Sequence, residues 1–208
     1  MGQSESLTVP AATETTPRVT GVLKDMGLIY GGSETAMQRG RAVHTGIALL
    51  ATGKLDWSSV SDEILPYLMA YEQFVDHSKF SVSCVETPVY HRLYDFKGTP
   101  DLVGSMGDET WIVEVKTGAK EPWHELQTGA YQLLLERPES KRFIRRVGLY
   151  LSINGTYSLS PHGNYYDSQI FLSFLTAWRW KYGNGYIKRL EAAGNGVATQ
   201  AGVSTNPR

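Results

Sequence analysis

Apolar positions recur at helical spacing in the first third of the chain. In MQRGRAVHTGIALLA, Met37, Val43, Ile47 and Leu50 fall near one face of a helix. Ser33 stands where that helix needs an N-cap, and Gly53 where it must stop. A second helix is predicted over much of ILPYLMAYEQFVDH, starting close to Pro66 because proline fits the first turn. The period then changes. Residues 80–118 are rich in Val, Thr, Tyr and Trp, which predicts short strands with turns at Lys97-Gly98 and at Met106-Gly107-Asp108. Pro122 opens a helix carried by HELQTGAYQLLLER. Asn154-Gly155 between two β-rich runs predicts a hairpin with a type I′ turn. A last helix is expected through QIFLSFLTAWRWKY, breaking at Gly183-Asn184-Gly185.

The predicted order is helices, strands, a helix, a hairpin and a helix. It implies an α/β domain with a mixed sheet and helices packed on it. Residues 1–16 and 192–208 carry few large apolar side chains, so both are expected to be disordered tails around one domain over 17–191. No apolar run reaches the roughly 20 residues needed to span a bilayer. The N-terminal stretch lacks the basic and apolar regions of a secretory signal, so a cytoplasmic setting is expected. The single cysteine, Cys84, cannot form an internal disulfide and is expected to be a buried core thiol. The net charge of −1 leaves room for a local basic surface but gives no global one.

The segment that changes the picture is GTPDLVGSMGDETWIVEVKTG. On a strand WIVEVK, side chains alternate, so Glu114 and Lys116 share one face and Val113 and Val115 the other. Asp101 lies on the preceding candidate strand, and a hairpin can bring it beside Glu114. Two adjacent carboxylates repel, and a hard divalent cation such as Mg²⁺ or Mn²⁺ removes the conflict. Such an ion activates water and polarises a phosphoryl oxygen, while Lys116 can offset charge growing on a phosphate. The plain alternative is a surface strand carrying an ion pair.

Pro100-Asp101 with Glu114-Val115-Lys116 resembles the signature of the PD-(D/E)XK nucleases, and the surroundings resemble their RecB-type branch. Gly40 to His44 resembles that branch's G-x-x-x-H motif, Glu86 its acidic residue before the first signature element, and Gln127 with Tyr131 its Q-x-x-x-Y motif. PRVTGVLKDMGLI resembles the opening of phage members, and the likeness spans roughly residues 17–135. The resemblance implies a restriction-endonuclease-like mixed sheet flanked by helices and a metal-dependent deoxyribonuclease, more specifically an exonuclease. It implies metal ligation by His44, Asp101, Glu114 and the Val115 carbonyl, with Lys116 catalytic and Gln127 and Tyr131 serving the same site. Glu86 and Gly40 would support it.

Taken as residues alone, Gly40 and His44 are one helical turn apart, and a glycine inside a helix suggests a close packing contact. Gln127 and Tyr131 are also one turn apart, and they either hold the site or form a water-facing stripe. His124, a turn earlier, is given no role. Arg39 and Arg41 border the proposed site and are the preferred nucleic-acid contacts. Two other basic stretches are candidates: Lys141, Arg142, Arg145 and Arg146, and the run from Trp178 to Tyr182 with Lys188 and Arg189. The second of these is read in preference as a helix that buries Trp178 and Tyr182 and leaves its lysines in water. One cysteine excludes an internal iron–sulfur cluster, and no G-x-x-x-x-G-K-[ST] loop indicates a nucleotide cofactor. The expected partners are single-stranded DNA or duplex ends, together with a recombination or single-strand-binding protein and no membrane. DNA recombination, repair or replication is the setting, with a phage origin suggested by the opening motif. Two other readings stay open: a nuclease-derived module that holds DNA without cutting it, and an interaction protein with an accidental D…ExK match.

Overall fold

The computed structural model describes residues 16–136 and 143–183. Helix α1 (Val19–Asp25) is followed by α2 (Glu34–Ala51) and α3 (Leu65–Ser78). Strands β1 (Ser81–Val85), β2 (Val89–His91), β3 (Phe96–Gly98), β4 (Leu102–Met106) and β5 (Glu109–Lys116) come next. Helix α4 (Trp123–Leu135), β6 (Ile144–Leu151), β7 (Tyr157–Pro161) and α5 (Asp167–Trp178) complete the described order. The main sheet runs β1-β4-β5-β6-β7, and β2 and β3 form a small separate sheet. Neighbours in the main sheet are antiparallel except β5 and β6, which are parallel and joined across by α4.

Strand alternation divides the core in two. Val113, Val115 and Leu149 bury one sheet face against Val43 and Ile47 of α2 and Leu68 and Phe74 of α3. Ile112 belongs to the other face, with Leu23 of α1, Tyr131 and Leu134 of α4 and Phe171 of α5. Each fully buried Leu or Phe contributes about 1.5–3 kcal/mol over leaving it exposed.

The expected helix starts hold. The Ser33 hydroxyl accepts from the Ala36 amide at 3.2 Å, and Pro66 stands in the first turn of α3. Several local expectations change. Met37 is exposed, so the buried face of α2 begins at Val43. Lys97 and Gly98 lie within β3, and the chain reverses at 92–95 instead. The small sheet and α1 go beyond the predicted order. The β6–β7 turn is not type I′, because only Gly155 of the pair has positive φ, at 70°. The Ser152 carbonyl accepts from the Gly155 amide at 3.0 Å, so glycine takes the left-handed position after the turn. Cys84 is exposed, since β1 is an edge strand. Helix α5 ends at Trp178 and continues as a π-turn over Arg179–Gly183. The predicted tails, Lys141, Arg142, Asn184, Gly185, Lys188 and Arg189 lie outside the described residues, apart from Thr16.

Candidate active site

The β4–β5 ladder ends at the pair Leu102–Val113, which leaves the next outward-facing amide of β5 without a strand partner. Asp101, immediately before β4 rather than within it, fills that place: its Oδ2 accepts from the Val115 amide at 2.8 Å. The other carboxylate oxygen, Oδ1, is 3.2 Å from His44 Nδ1 on α2. Glu86 follows β1, and its amide donates to the Asp101 carbonyl at 2.9 Å. Its φ of 40° is a left-handed conformation that non-glycine residues adopt only when the surroundings hold it. One ligand atom each from His44, Glu86 and Asp101 lies within 4.8 Å of the others.

Glu114 and Lys116 share the α4 face of β5, as alternation requires. Lys116 Nζ donates to Glu114 Oε1 and to Gln127 Oε1, each at 3.0 Å. Gln127 Nε2 in turn donates to the Tyr131 hydroxyl at 3.0 Å. Gln127 and Tyr131 are both buried, so they do not form a water-facing stripe. Asp101, Glu114, Gln127 and Tyr131 line one cleft of about 520 Å³, with Arg18, Lys97 and Thr99 on its other walls.

The electrostatics follow from burial. Glu114 is 2 % exposed, and desolvation, then the Asp101 charge, push its pKa up to about 7 against the pull of Lys116 and His44. Its Oε2 is buried with no hydrogen-bond partner. Burial alone would lower the His44 pKa, but the Asp101 hydrogen bond and the Asp101 and Glu114 charges outweigh it and raise the value. Burial lifts the Tyr131 hydroxyl well above its usual range. An imidazole with two carboxylates and an orphaned buried carboxylate oxygen beside them fits a hard divalent cation. The group of three contains Glu86 rather than Glu114, and Val115 enters the site through its amide.

Gly40 needs no tight contact. A Cβ built there meets nothing nearer than Thr117 Oγ1 at 3.6 Å, whereas at Gly46 it would meet Leu68 Cδ2 at 2.9 Å. The Arg39 guanidinium carbon lies over the Tyr67 ring, 6.0 Å from its centre, and Arg41 is exposed. Among the described residues of the other basic stretches, several are engaged elsewhere. Arg145 pairs with Glu109 and Arg146 is buried against Asp167. Trp178 Nε1 donates to Asp25 at 2.8 Å and packs into the core, while Tyr182 stays exposed. His124 is a buried histidine 2.7 Å from the Tyr150 hydroxyl, and desolvation pushes its pKa down to about 3.

Sequence reasoning passed over Trp123, whose ring lies 5.1 Å from Lys116 Nζ. The signal was available, since Trp123, Gln127 and Tyr131 follow one another at successive helical turns. Tyr150 could not be found locally. It neighbours Lys116 through the parallel β5–β6 register alone.

The mixed sheet thus brings an acid just before β4 together with an acid–lysine pair on β5. The pattern of the PD-(D/E)XK nuclease superfamily matches residues 34–158, more than half the chain, and the chain belongs to that superfamily. Among solved structures it is similar to an alkaline exonuclease, LHK-Exo, from Laribacter hongkongensis, at 14% identity and a TM-score of 0.42, covering 85% of this chain and 93% of that one. The same exonuclease in complex with dAMP gives 14% identity and a TM-score of 0.46, covering 86% and 94%. A chain from Eubacterium rectale provisionally named an exonuclease gives 10% identity and 0.47, covering 90% and 82%. No curated protein matches in sequence. Among the described residues, no helix is long and apolar enough to cross a membrane.

Proposed function

We propose that this chain is a Mg²⁺- or Mn²⁺-dependent deoxyribonuclease that acts as an exonuclease on DNA. The observation that carries the reading is the joining of two residue sets at one sheet end. His44, Glu86 and Asp101 gather donor atoms, and Glu114, Lys116, Gln127 and Tyr131 form an unbroken hydrogen-bonded chain beside them.

His44, Asp101 and Glu114 would hold the cation, with the Val115 carbonyl and Glu86 adjoining. When bound, the cation supplies Lewis acidity and lowers the pKa of bound water. Lys116 is held on two sides by Glu114 and Gln127, so its ammonium charge is positioned before substrate arrives. Tyr131 fixes the Gln127 amide and, being buried, keeps its own proton. Arg39 and Arg41 precede His44 by about one turn and would meet the phosphate backbone. The exonuclease assignment rests on the RecB-type motifs, and it places the enzyme in DNA recombination, repair or replication, with a cytoplasmic location.

The test is a time course on end-labelled linear and closed circular DNA, with Mn²⁺ or EDTA, for wild type and Lys116→Ala. Wild type should release nucleotides from linear ends only, and only with metal. Lys116→Ala should be slower by about 10²–10³-fold, as expected for removal of one charge-stabilising donor. Equal rates for both proteins would overturn the assignment. DNA binding without cleavage under any metal would leave a binding module instead.

A further inference from the structure

Beyond Lys116 lies a second concavity that shares no lining residue with the cleft containing Asp101 and Glu114. It has a volume of about 390 Å³, and Tyr67, Thr117, Gly118, Tyr150, Ser152 and Ser158 are among its walls. It begins at the residue after Lys116, and Tyr150 is the register partner of Lys116 in β6. It therefore adjoins Lys116 at that end of the sheet.

Two cations bracket it. The Arg39 guanidinium stands over the ring of Tyr67, and Lys120 Nζ lies 5.2 Å from the centre of the Tyr150 ring. Neither has an ion-pair partner among the described residues, and the acid next to Lys120, Glu121, does not pair with it. Of the arginines farther from the site, Arg145, Arg146 and Arg179 face carboxylates, while Arg92 has no ion-pair partner among the described residues. Arg39 Nε is moreover buried without an acceptor. Positive groups left without anions at a sheet end that carries a phosphodiesterase site call for anions from outside. The hydroxyls of Thr117, Ser152, Thr156 and Ser158 offer further donors along the same wall. Ile153, 61 % exposed on the β6–β7 turn, offers an apolar surface at the rim.

We infer that this groove holds one unpaired strand of the DNA substrate, with Arg39 and Lys120 on its phosphates. The inference deepens the nuclease reading and rests on it. A groove flanked by two cations, with Ile153 exposed at its rim, suits a single strand, whose bases are open to such a surface. A duplex keeps those faces stacked inside.

Binding is measured by fluorescence anisotropy in EDTA, so that cleavage plays no part. The probe is a labelled oligothymidylate of about 16 nucleotides, compared with a duplex of equal length, across a salt series. The proteins are wild type, Arg39→Ala, Lys120→Ala, Ser158→Trp to fill the groove, and the remote Arg145→Ala, each checked for an intact melting transition. Arg39→Ala and Lys120→Ala should each flatten the plot of log affinity against log salt by about 0.7 on the single strand. Ser158→Trp should weaken single-strand binding, and Arg145→Ala should match wild type. Folded Arg39→Ala and Lys120→Ala with wild-type salt slopes would overturn the inference, as would slopes that change on the duplex alone. The first of those outcomes would also remove Arg39 from the phosphate contacts of the nuclease reading, while metal-dependent cleavage itself is decided by the time course on linear and circular DNA. Conversely, a wild type that never cleaves but shows the expected slopes would sink the nuclease reading and keep the groove.

Discussion

Two buried ion pairs lie under α4 on the same sheet face, and they are finished to different degrees. Arg146 Nη1 donates to Asp167 at 2.9 Å and to the Glu125 carbonyl at 3.1 Å, and Nη2 donates to the Asn164 carbonyl at 2.9 Å. No side-chain nitrogen or oxygen of Arg146 or Asp167 is left buried without a partner. The Lys116–Glu114 pair, one residue along the neighbouring strand from the register partner of Arg146's successor, leaves Glu114 Oε2 bare. Desolvation is severe for a buried charge and is offset only when its remaining hydrogen-bonding sites are filled. The first pair is thus complete within the chain. The second is complete only when something from outside arrives, which is the physical mark of a site rather than a brace.

The comparison can be broken from its larger side first. Arg146→Ala should lower unfolding stability by about 3–5 kcal/mol, because it strands the Asp167 charge. Urea denaturation gives the loss, while cleavage per folded molecule should hold. If stability is unchanged, the brace is no brace.

The second pair should respond to metal instead. In Mn²⁺ at about one hundred times its dissociation constant, wild type should gain about 2.7 kcal/mol, and Asp101→Ala should gain far less. Thermal melts with and without EDTA measure this, and equal gains in both proteins would refute the cation site.

Between the two pairs stands Gly148, the register partner of Glu114. A Cβ there would meet the Tyr150 ring at 2.7 Å and His162 Nε2 at 3.1 Å. Gly148→Ala should therefore cost about 1–3 kcal/mol by overpacking, and it should disturb both ends together. An alanine variant as stable as wild type would show that the two regions are independent.

The smallest effects are opposed pH slopes. The folded-state pKa of Glu114 is raised from 4.5 to about 7, so the folded state holds a proton the unfolded chain has lost. Its contribution to stability falls as pH rises through that window. His162, beside Thr128 at 2.9 Å, has its pKa pushed down from 6.5 to about 4 by burial and then by Arg146. There the unfolded chain binds the extra proton, so stability rises between about pH 4 and 6.5. Each slope is at most about 1.4 kcal/mol per pH unit. In EDTA, Glu114→Gln should leave a profile that rises with pH, and His162→Asn one that rises less than wild type. Profiles identical to wild type would remove these groups from the account.

The difference between the pairs was half visible in the amino acids. Glu114 and Lys116 were found because a strand alternates with period two, and that rule needs no partner. Gln127 and Tyr131 were found as one turn of a helix, but whether they faced water or the site depended on where α4 lay. Arg146 looked like part of a basic surface run, and burial against Asp167 from another element made it internal. Met37, Cys84 and the Lys97-Gly98 turn failed for the same reason: local pattern marks the type of an element, while its neighbours set its exposure and ends.

The sequence by itself determined α2, α4 and β5 at the site and the identity of the acids, the amine and the histidine, but not α1 or the small sheet that complete the cleft. Backbone periods of 2.0 and 3.6 residues act over a few positions and are written in each segment. Tertiary structure alone decided that Asp101 caps the Val115 amide and faces His44, that Glu86 joins them, and that Lys116 reaches Gln127. These contacts cross from sheet to helix, and packing of the whole core fixes their distances.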